Sequence, residues 1–315
     1  MVRLNKIGAF FRLIRYPNLI FIALTQCLFY FFIVIPTYKD ANHDLPQLGY
    51  YNFSLLLIAS LAIAAAGYII NDYFDMDIDN VNKPDKLVIG KWINRRWAML
   101  FHMLLSFFGL FLTALVAMHI NNLLLLAFNF LSVVLLLFYS TTFKKKLLIG
   151  NVIISLLTAW VVGVLFVAEL NIADVIYMRQ HQVVLEKLYK YTAVYAGFAF
   201  MVSLVREVIK DLEDIIGDRR YGCTTMPIVW GINPSKIYAG IWIVVLMGLL
   251  LSIFFYSVLN EWFWLKSLLS ILLFNFLVVI LTNVKKAATA KDYTSISKQI
   301  KLLMLIGILS ILLFI

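Results

Sequence analysis

The sequence predicts an all-α, polytopic membrane helix bundle of about nine transmembrane helices, forming a single domain over residues 1–315. Three observations carry this. The 315 residues are 63% hydrophobic and only 14% charged, with a mean hydropathy of +0.91, far too apolar for a water-soluble domain of this length. Stretches of about 20 apolar residues, the length a bilayer core requires, recur along the chain between short clusters of charge. The basic residues gather in alternate clusters, as they do in chains that cross a membrane repeatedly.

In order, the spans read Leu19 to Tyr38, Phe53 to Ile70, Trp97 to Met118, Leu123 to Tyr139, Leu147 to Ala168, Thr192 to Val205, Ile237 to Leu259, Trp262 to Leu281 and Ile300 to Ile315. The sixth is short, and only a tight Asn121-Asn122 turn separates the third from the fourth. Trp92, Trp97, Trp262 and Trp264 fall at span ends, where amphipathic rings settle at headgroup level. Arg3, Lys6, Arg12 and Arg15 before the first span imitate the basic leader of a secretory signal. The length of that span and the eight behind it argue for retention. Cys27 and Cys223 form neither a disulfide framework nor a metal-ligand spacing, and Cys27 reads as apolar filler.

With nine spans, the N-terminus and the loops after the even-numbered spans share one side, and they hold 22 of the 27 Lys and Arg. Only Lys39, Arg179, Lys187, Lys190 and Lys266 lie opposite. The excess of basic residues assigns the richer side to the cytoplasm and explains the net charge of +10 without invoking nucleic acid. The expectation is a multi-pass cell-membrane protein whose chemistry faces the cytoplasm. A polar insertion, 170–190, falls on the opposite face and reads as an amphipathic cap or a mobile loop with no catalytic role.

Ten of the 17 acidic residues lie in two short stretches on the basic side, within the loops 71–96 and 206–236. If the second span continues as a helix, Asn71, Asp75 and Asp79 follow at i, i+4 and i+8, one stripe of one face, with Asp72 beside it. Asp211, Asp214 and Asp218 follow at i, i+3 and i+7. Like charges this close repel unless a cation joins them, and magnesium is commonly held by one or two carboxylates with phosphates and water completing its shell. Lys83, Lys86, Arg206, Lys210, Arg219, Arg220 and the run Lys144 to Lys146 accompany the acids. Metal-holding carboxylates ringed by cations describe a pocket for a polyanion such as diphosphate.

Taken alone, either segment also reads as a solvated acidic loop, and Lys144 to Lys146 as a topology signal only. Neither segment has the glycine and terminal glutamate of a calcium-binding EF-hand loop. His43, His102, His119 and His181 are isolated and read as structural.

At these residues the sequence resembles the UbiA superfamily of intramembrane prenyltransferases. The first signature, Asn-Asp-x-x-Asp-x-x-x-Asp, is met by Asn71, Asp72, Asp75 and Asp79. The second, Asp-x-x-x-Asp, is met by Asp214 and Asp218, preceded by Lys210-Asp211. Asn82-Lys-Pro84, Tyr139-Ser140, Gly150-Asn151 and Gly222-Cys-Thr-Thr225-Met-Pro227 fit as well, and the likeness runs from Arg15-Tyr-Pro-Asn18 to the last span. Many members carry a tyrosine four residues before the Lys210 position. Here Arg206 stands there, expected to contact phosphate or to pair with an acid.

The resemblance implies nine helices and magnesium-dependent transfer of a prenyl group from a prenyl diphosphate to a lipophilic acceptor. Asn71, Asp75, Asp214 and Asp218 would hold magnesium, and Asp72, Asp79, Asp211 and Lys210 would complete the catalytic set. Lys144, Lys145, Arg206 and Tyr139 would take the diphosphate, while Tyr68, Tyr73, Phe74 and Tyr139 near the motifs offer rings whose faces can stabilise the allylic cation, most aromatics otherwise reading as lipid-facing or core. The runs Gly67 to Asp75 and Ile209 to Gly222 are most similar to the branch that moves a geranylgeranyl group from geranylgeranyl diphosphate onto geranylgeranylglyceryl phosphate in ether-lipid synthesis. An aromatic quinone precursor is the alternative acceptor. From other classes, a transporter and a non-catalytic scaffold subunit stand as rivals. A CDP-alcohol phosphotransferase is set aside because its Asp-Gly-x-x-Ala-Arg pattern is absent.

Overall fold

The computed structural model describes residues 6–41, 45–171, 174–258 and 263–314. Arg3, His43, residues 172–173 of the insertion and the span ends Leu259, Trp262 and Ile315 lie outside the described residues. Among those described there is no strand, and nine helices are long and apolar enough to cross a membrane. They are α1 (Tyr16–Asp40), α2 (Gly49–Asn82), α3 (Arg95–His119), α4 (Leu123–Thr141), α5 (Ile149–Glu169), α6 (Gln182–Glu213), α7 (Ile232–Phe255), α8 (Ser267–Lys286) and α9 (Ala290–Leu313).

The largest departures from the apolar stretches are at α2 and α6. The first runs on from Ile70 to Asn82; the second reaches back from Thr192 to Gln182 and on from Val205 to Glu213. Hydropathy reports only the part of a helix that lipid tolerates, whereas backbone hydrogen bonding continues for as long as the residues allow it. At 1.5 Å per residue, α2 is about 51 Å long and α6 about 48 Å, against a hydrocarbon core of about 30 Å. Each therefore carries polar turns beyond the apolar layer.

Contacts gather the chain into two compact units. One is Met1–Lys144 with Trp160–Ala196, the other Lys145–Ala159 with Gly197–Ile315, and the changeovers fall between Lys144 and Lys145, inside α5 and inside α6. In the first unit α2 packs against α1, α3 and α4. Its buried face includes the small residues Ala59, Ala62, Ala65, Ala66 and Gly67, which allow close approach where lipid supplies no hydrophobic drive for helix association. A Cβ on Gly109 of α3 would lie 2.7 Å from Ile63 Cγ1 and 3.0 Å from the Ala59 carbonyl oxygen.

Buried polar side chains in this unit bond between helices. Gln26 donates to Ser60 Oγ (3.0 Å) and to the Val161 carbonyl (3.1 Å). Asn129 donates to Thr113 Oγ1 (3.0 Å) and accepts from Trp160 Nε1 (2.8 Å). His102 bonds the Ala66 carbonyl (3.0 Å), a structural role. Ahead of α1, the helix Lys6–Leu13 buries Ala9 and Leu13 against Ala65, Ile69 and Ala98 and leaves Ile7 and Phe11 exposed. Arg15, at φ 51°, turns the chain into α1, where Pro17 occupies the first turn, a position that needs no amide hydrogen.

At the end of α2 far from Asp75, the fully buried Glu169 ties four pieces of chain together. It accepts from the Tyr38 hydroxyl (2.8 Å), the Gln47 amide (2.9 Å) and the Leu48 amide (3.4 Å). The hydroxyls of Tyr38 and Tyr177 are 2.9 Å apart. Tyr177 belongs to a short helix, Val175–Gln180, capped by Asp174. Burial pushes its phenol up to about 12, so it remains protonated. The 170–190 insertion thus contains this helix and the first turns of α6, with Lys187 paired to Asp40 at 2.8 Å.

In the second unit α7 packs against α8 and α8 against α9. Val205, Val208 and Ile209 from the end of α6 share a core with Leu246, Ile280 and Ile300. Thr289 and Asp292 cap α9 reciprocally, satisfying amides that the helix start would otherwise leave unpaired.

Candidate functional site

Because α2 stays helical through Asn82, Asn71, Asp75 and Asp79 form the stripe that their spacing predicts. Asn71 and Asp75 are buried and Asp79 is half-buried. Asn71 Nδ2 donates to Asp75 Oδ2 at 2.8 Å, and Lys144 Nζ donates to the same oxygen. Asn71 Oδ1 is buried with no partner among the described residues. Lys144 sits in the short turn Phe143–Lys145 after α4. Burial opposes its charge, but the Asp75 carboxylate outweighs this, with Tyr139 and Asp79 adding, and the ammonium is held well above the ordinary lysine range.

The sequence reading gave Arg15 no role, yet it completes this side of the unit. Its Nη2 donates to Asp72 Oδ1 at 2.5 Å, and its guanidinium lies 5.3 Å from the centre of the Tyr68 ring. Asp72 holds that guanidinium above its usual range against the opposing effect of burial. Arg12 adds a bond to the Asp85 carbonyl at 2.9 Å. The run Arg15-Tyr-Pro-Asn18 was the available signal, but nothing local to it points to Asp72. Of the rings near this segment, Tyr68 faces Arg15, while Tyr73 and Phe74 meet edge to face at 5.2 Å.

The second segment differs from its sequence reading in one respect. Asp211, Asp214 and Asp218 do not share one continuous helix: α6 ends at Glu213, Asp214 leaves helical geometry at φ −98° and ψ 7°, and a short helix, Ile215–Arg220, carries Asp218. Asp214 N still bonds the Lys210 carbonyl (2.9 Å) and Asp218 N the Asp214 carbonyl (3.1 Å). The helical spacing of backbone bonds is therefore kept through Asp214 on both sides of the break. Asp218 is buried, and Asp211 and Asp214 are half-buried.

Lys210 Nζ donates to both carboxylate oxygens of Glu207 (2.8 and 3.2 Å), and Arg206 Nη1 donates to Glu207 Oε1 (3.2 Å). Glu207 is buried and was not among the expected site residues, although its i, i+3 spacing to Lys210 was a legible signal. Asp211 Oδ2 accepts from Asn151 Nδ2 (2.8 Å) on the first turn of α5. Lys145 is exposed in the loop before that helix.

All the acceptors in both segments are hard oxygens. Among the described residues, no three carboxylates, imidazoles or thiols cluster tightly enough to hold a metal ion by themselves. Magnesium is ordinarily satisfied by one or two carboxylates with substrate phosphates and water. The orphaned Asn71 Oδ1 beside Asp75 is an oxygen of the type such an ion takes, and a buried polar atom without a partner calls for an explanation.

Nine membrane-length helices among the described residues, two of which end in carboxylates paired with lysine or arginine, define a multi-pass membrane bundle with polar chemistry at its helix ends. Residues 19–305 match the UbiA prenyltransferase family, and the chain belongs to it. Digeranylgeranylglyceryl phosphate synthases are among its relatives. The one from Methanothermobacter thermautotrophicus is 31% identical over 61% of this chain and 61% of its own length, so less than two thirds of that relative is spanned. The one from Methanopyrus kandleri is 30% identical over 81% of this chain and 84% of its own.

A solved digeranylgeranylglyceryl phosphate synthase structure superposes with a TM-score of 0.62 at 24% identity, covering 98% of both chains. A UbiA homolog from Archaeoglobus fulgidus, bound to DMAPP and Mg2+, superposes at 0.57 and 15% identity, covering 96% of this chain and 98% of that one. At these identities the likeness establishes the fold.

Proposed function

We propose that the protein transfers a geranylgeranyl group from geranylgeranyl diphosphate to the free hydroxyl of geranylgeranylglyceryl phosphate. The reaction is magnesium-dependent and runs at the cytoplasmic face of the cell membrane. The observation that carries this reading is the group Asn71, Asp75 and Lys144, in which one buried carboxylate adjoins both an unpartnered amide oxygen and a firmly protonated amine. A divalent cation would take the oxygens of such a group, and the amine would neutralise a phosphate beside it. The relatives' activity supports the acceptor, and the distribution of Lys and Arg supports the side of the membrane.

Asn71, Asp75, Asp214 and Asp218 are the residues that would hold magnesium. Asp72, Asp79 and Asp211 steady those ligands, and Glu207 keeps Lys210 in place. The chemistry that bound magnesium supplies is neutralisation of the departing diphosphate. Lys144, Lys145, Arg206 and Tyr139 bind the phosphate oxygens, and Lys210 offsets charge as it accumulates on them. The bond between the first prenyl carbon and its phosphate oxygen breaks, and its electron pair leaves with the diphosphate. The acceptor's hydroxyl oxygen then bonds to that carbon, and its proton passes to the released diphosphate.

The test offers purified protein geranylgeranyl diphosphate with either geranylgeranylglyceryl phosphate or an aromatic quinone precursor, and identifies products by mass. The glycerol phosphate is expected to be alkylated, EDTA to stop the reaction, and Asp75→Ala or Asp214→Ala to abolish it in protein that remains folded. Turnover confined to the aromatic acceptor would reassign the substrate, and turnover retained in either variant would remove the metal assignment.

A further inference from the structure

We infer that Thr224 is a positioning residue for Lys145, fixing the backbone from which that lysine reaches the diphosphate; this rests on the role proposed for Lys145 above. The local chain explains how Thr224 comes to do this. Gly222 adopts φ +70° with nothing within 4 Å of where a Cβ would stand, so its glycine answers to conformation and not to crowding. That turn brings Cys223 N back to the Asp218 carbonyl at 2.9 Å. The next residue, Thr224, then directs two donors at one acceptor: its amide lies 2.7 Å and its hydroxyl 2.9 Å from the Lys145 carbonyl oxygen.

One amide would suffice to close such a contact. The hydroxyl occupies the second acceptor site of the carbonyl, although Thr224 is exposed and water could satisfy its oxygen. Together the two bonds restrain the carbonyl in two directions. A lysine amine rides on four rotatable bonds, so the region it explores depends on how well its own backbone is fixed.

The rest of the loop is anchored to the same acidic segment. Leu148 takes a left-handed conformation, φ 59°, that a leucine adopts at a cost. Leu147 and Leu148 pack against the core that includes Val208 and Ile209. At the far end of the loop Asn151 holds Asp211. Residues 145–151 are thus fastened at one end just beyond Asp218 and at the other to Asp211, with Thr224 as the first fastening.

The experiment uses the full chain in lipid nanodiscs. It measures kcat, KM for each substrate, equilibrium binding of labelled geranylgeranyl diphosphate, and thermal stability, for Thr224→Val, Thr224→Ser, Lys145→Met and Thr224→Val with Lys145→Met. Thr224→Val is expected to weaken the diphosphate substrate about fivefold, the equivalent of one hydrogen bond, with acceptor KM and stability unchanged. Serine is expected to restore the affinity, and valine to add nothing once Lys145 is gone. Additive losses, or a loss of stability with no change in affinity, would overturn the inference. So would a silent Thr224→Val beside an effective Lys145→Met, and that result would leave the role of Lys145 standing. A silent Lys145→Met would remove both.

Discussion

Asn71 and Asp75, one turn apart on α2, are joined side chain to side chain, with Asn71 Nδ2 donating to Asp75 Oδ2 over 2.8 Å. The bond orients the amide so that its oxygen is buried without a partner. Asn71→Asp would replace that donor by a second carboxylate, and the two would repel unless a cation joins them. Thermal stability of this variant is expected to fall in EDTA and to recover with magnesium. A melting temperature indifferent to magnesium would argue against an ion at this stripe.

Lys144→Met removes the amine paired with Asp75, whose side chain is only 4% exposed. A buried carboxylate left without its cation is costly, and on the proposed function a positive group for the diphosphate is lost as well. Transfer is expected to fall by about 10²-fold, the usual scale for removing one electrostatic stabiliser, together with a lower melting temperature. Steady-state kinetics and a thermal scan check both.

Arg15→Lys keeps the charge beside Asp72 but gives up the planar group over Tyr68. The ring contact contributes about 0.5–1 kcal/mol at a site of this exposure. The variant is expected to be destabilised on that scale, and Arg15→Met by more. Denaturation in detergent measures the difference.

Gly109→Ala places a methyl group 3.0 Å from the Ala59 carbonyl oxygen and closer still to Ile63. Backbone cannot move aside as a side chain can, so α2 and α3 must separate, at about 1–3 kcal/mol for an overpacked contact. The melting temperature is expected to drop. Gly222→Ala, which meets open space, should lose only the cost of its φ, about 1–2 kcal/mol.

Glu169→Leu takes the acceptor from the Gln47 and Leu48 amides and leaves the Tyr38 hydroxyl with Tyr177 alone, and each lost partner costs about 1–3 kcal/mol. Stability is expected to fall while KM for geranylgeranyl diphosphate stays unchanged, because this group lies at the end of α2 far from Asp75. A selective change in KM would show that the clasp also acts on the site.

The sequence by itself determined the nine spans, through runs of apolar residues, and the stripe Asn71, Asp75 and Asp79, through helical spacing. Both depend on neighbours within a few turns, where composition and periodicity leave a trace. Asp211, Asp214 and Asp218 were legible as a group, but the break at Asp214 was not, since the backbone bonds on either side of it still follow helical spacing.

Tertiary structure alone decided the partners. Arg15 meets Asp72 across 57 residues, Lys144 meets Asp75 across 69, Asn151 meets Asp211 across 60, and Thr224 meets Lys145 across 79. Such pairs leave no periodic mark in either segment. Which cation a carboxylate takes is set by the helices that packing brings alongside it, and that packing rests on small residues such as Gly109 whose close approach appears only when the helices are assembled.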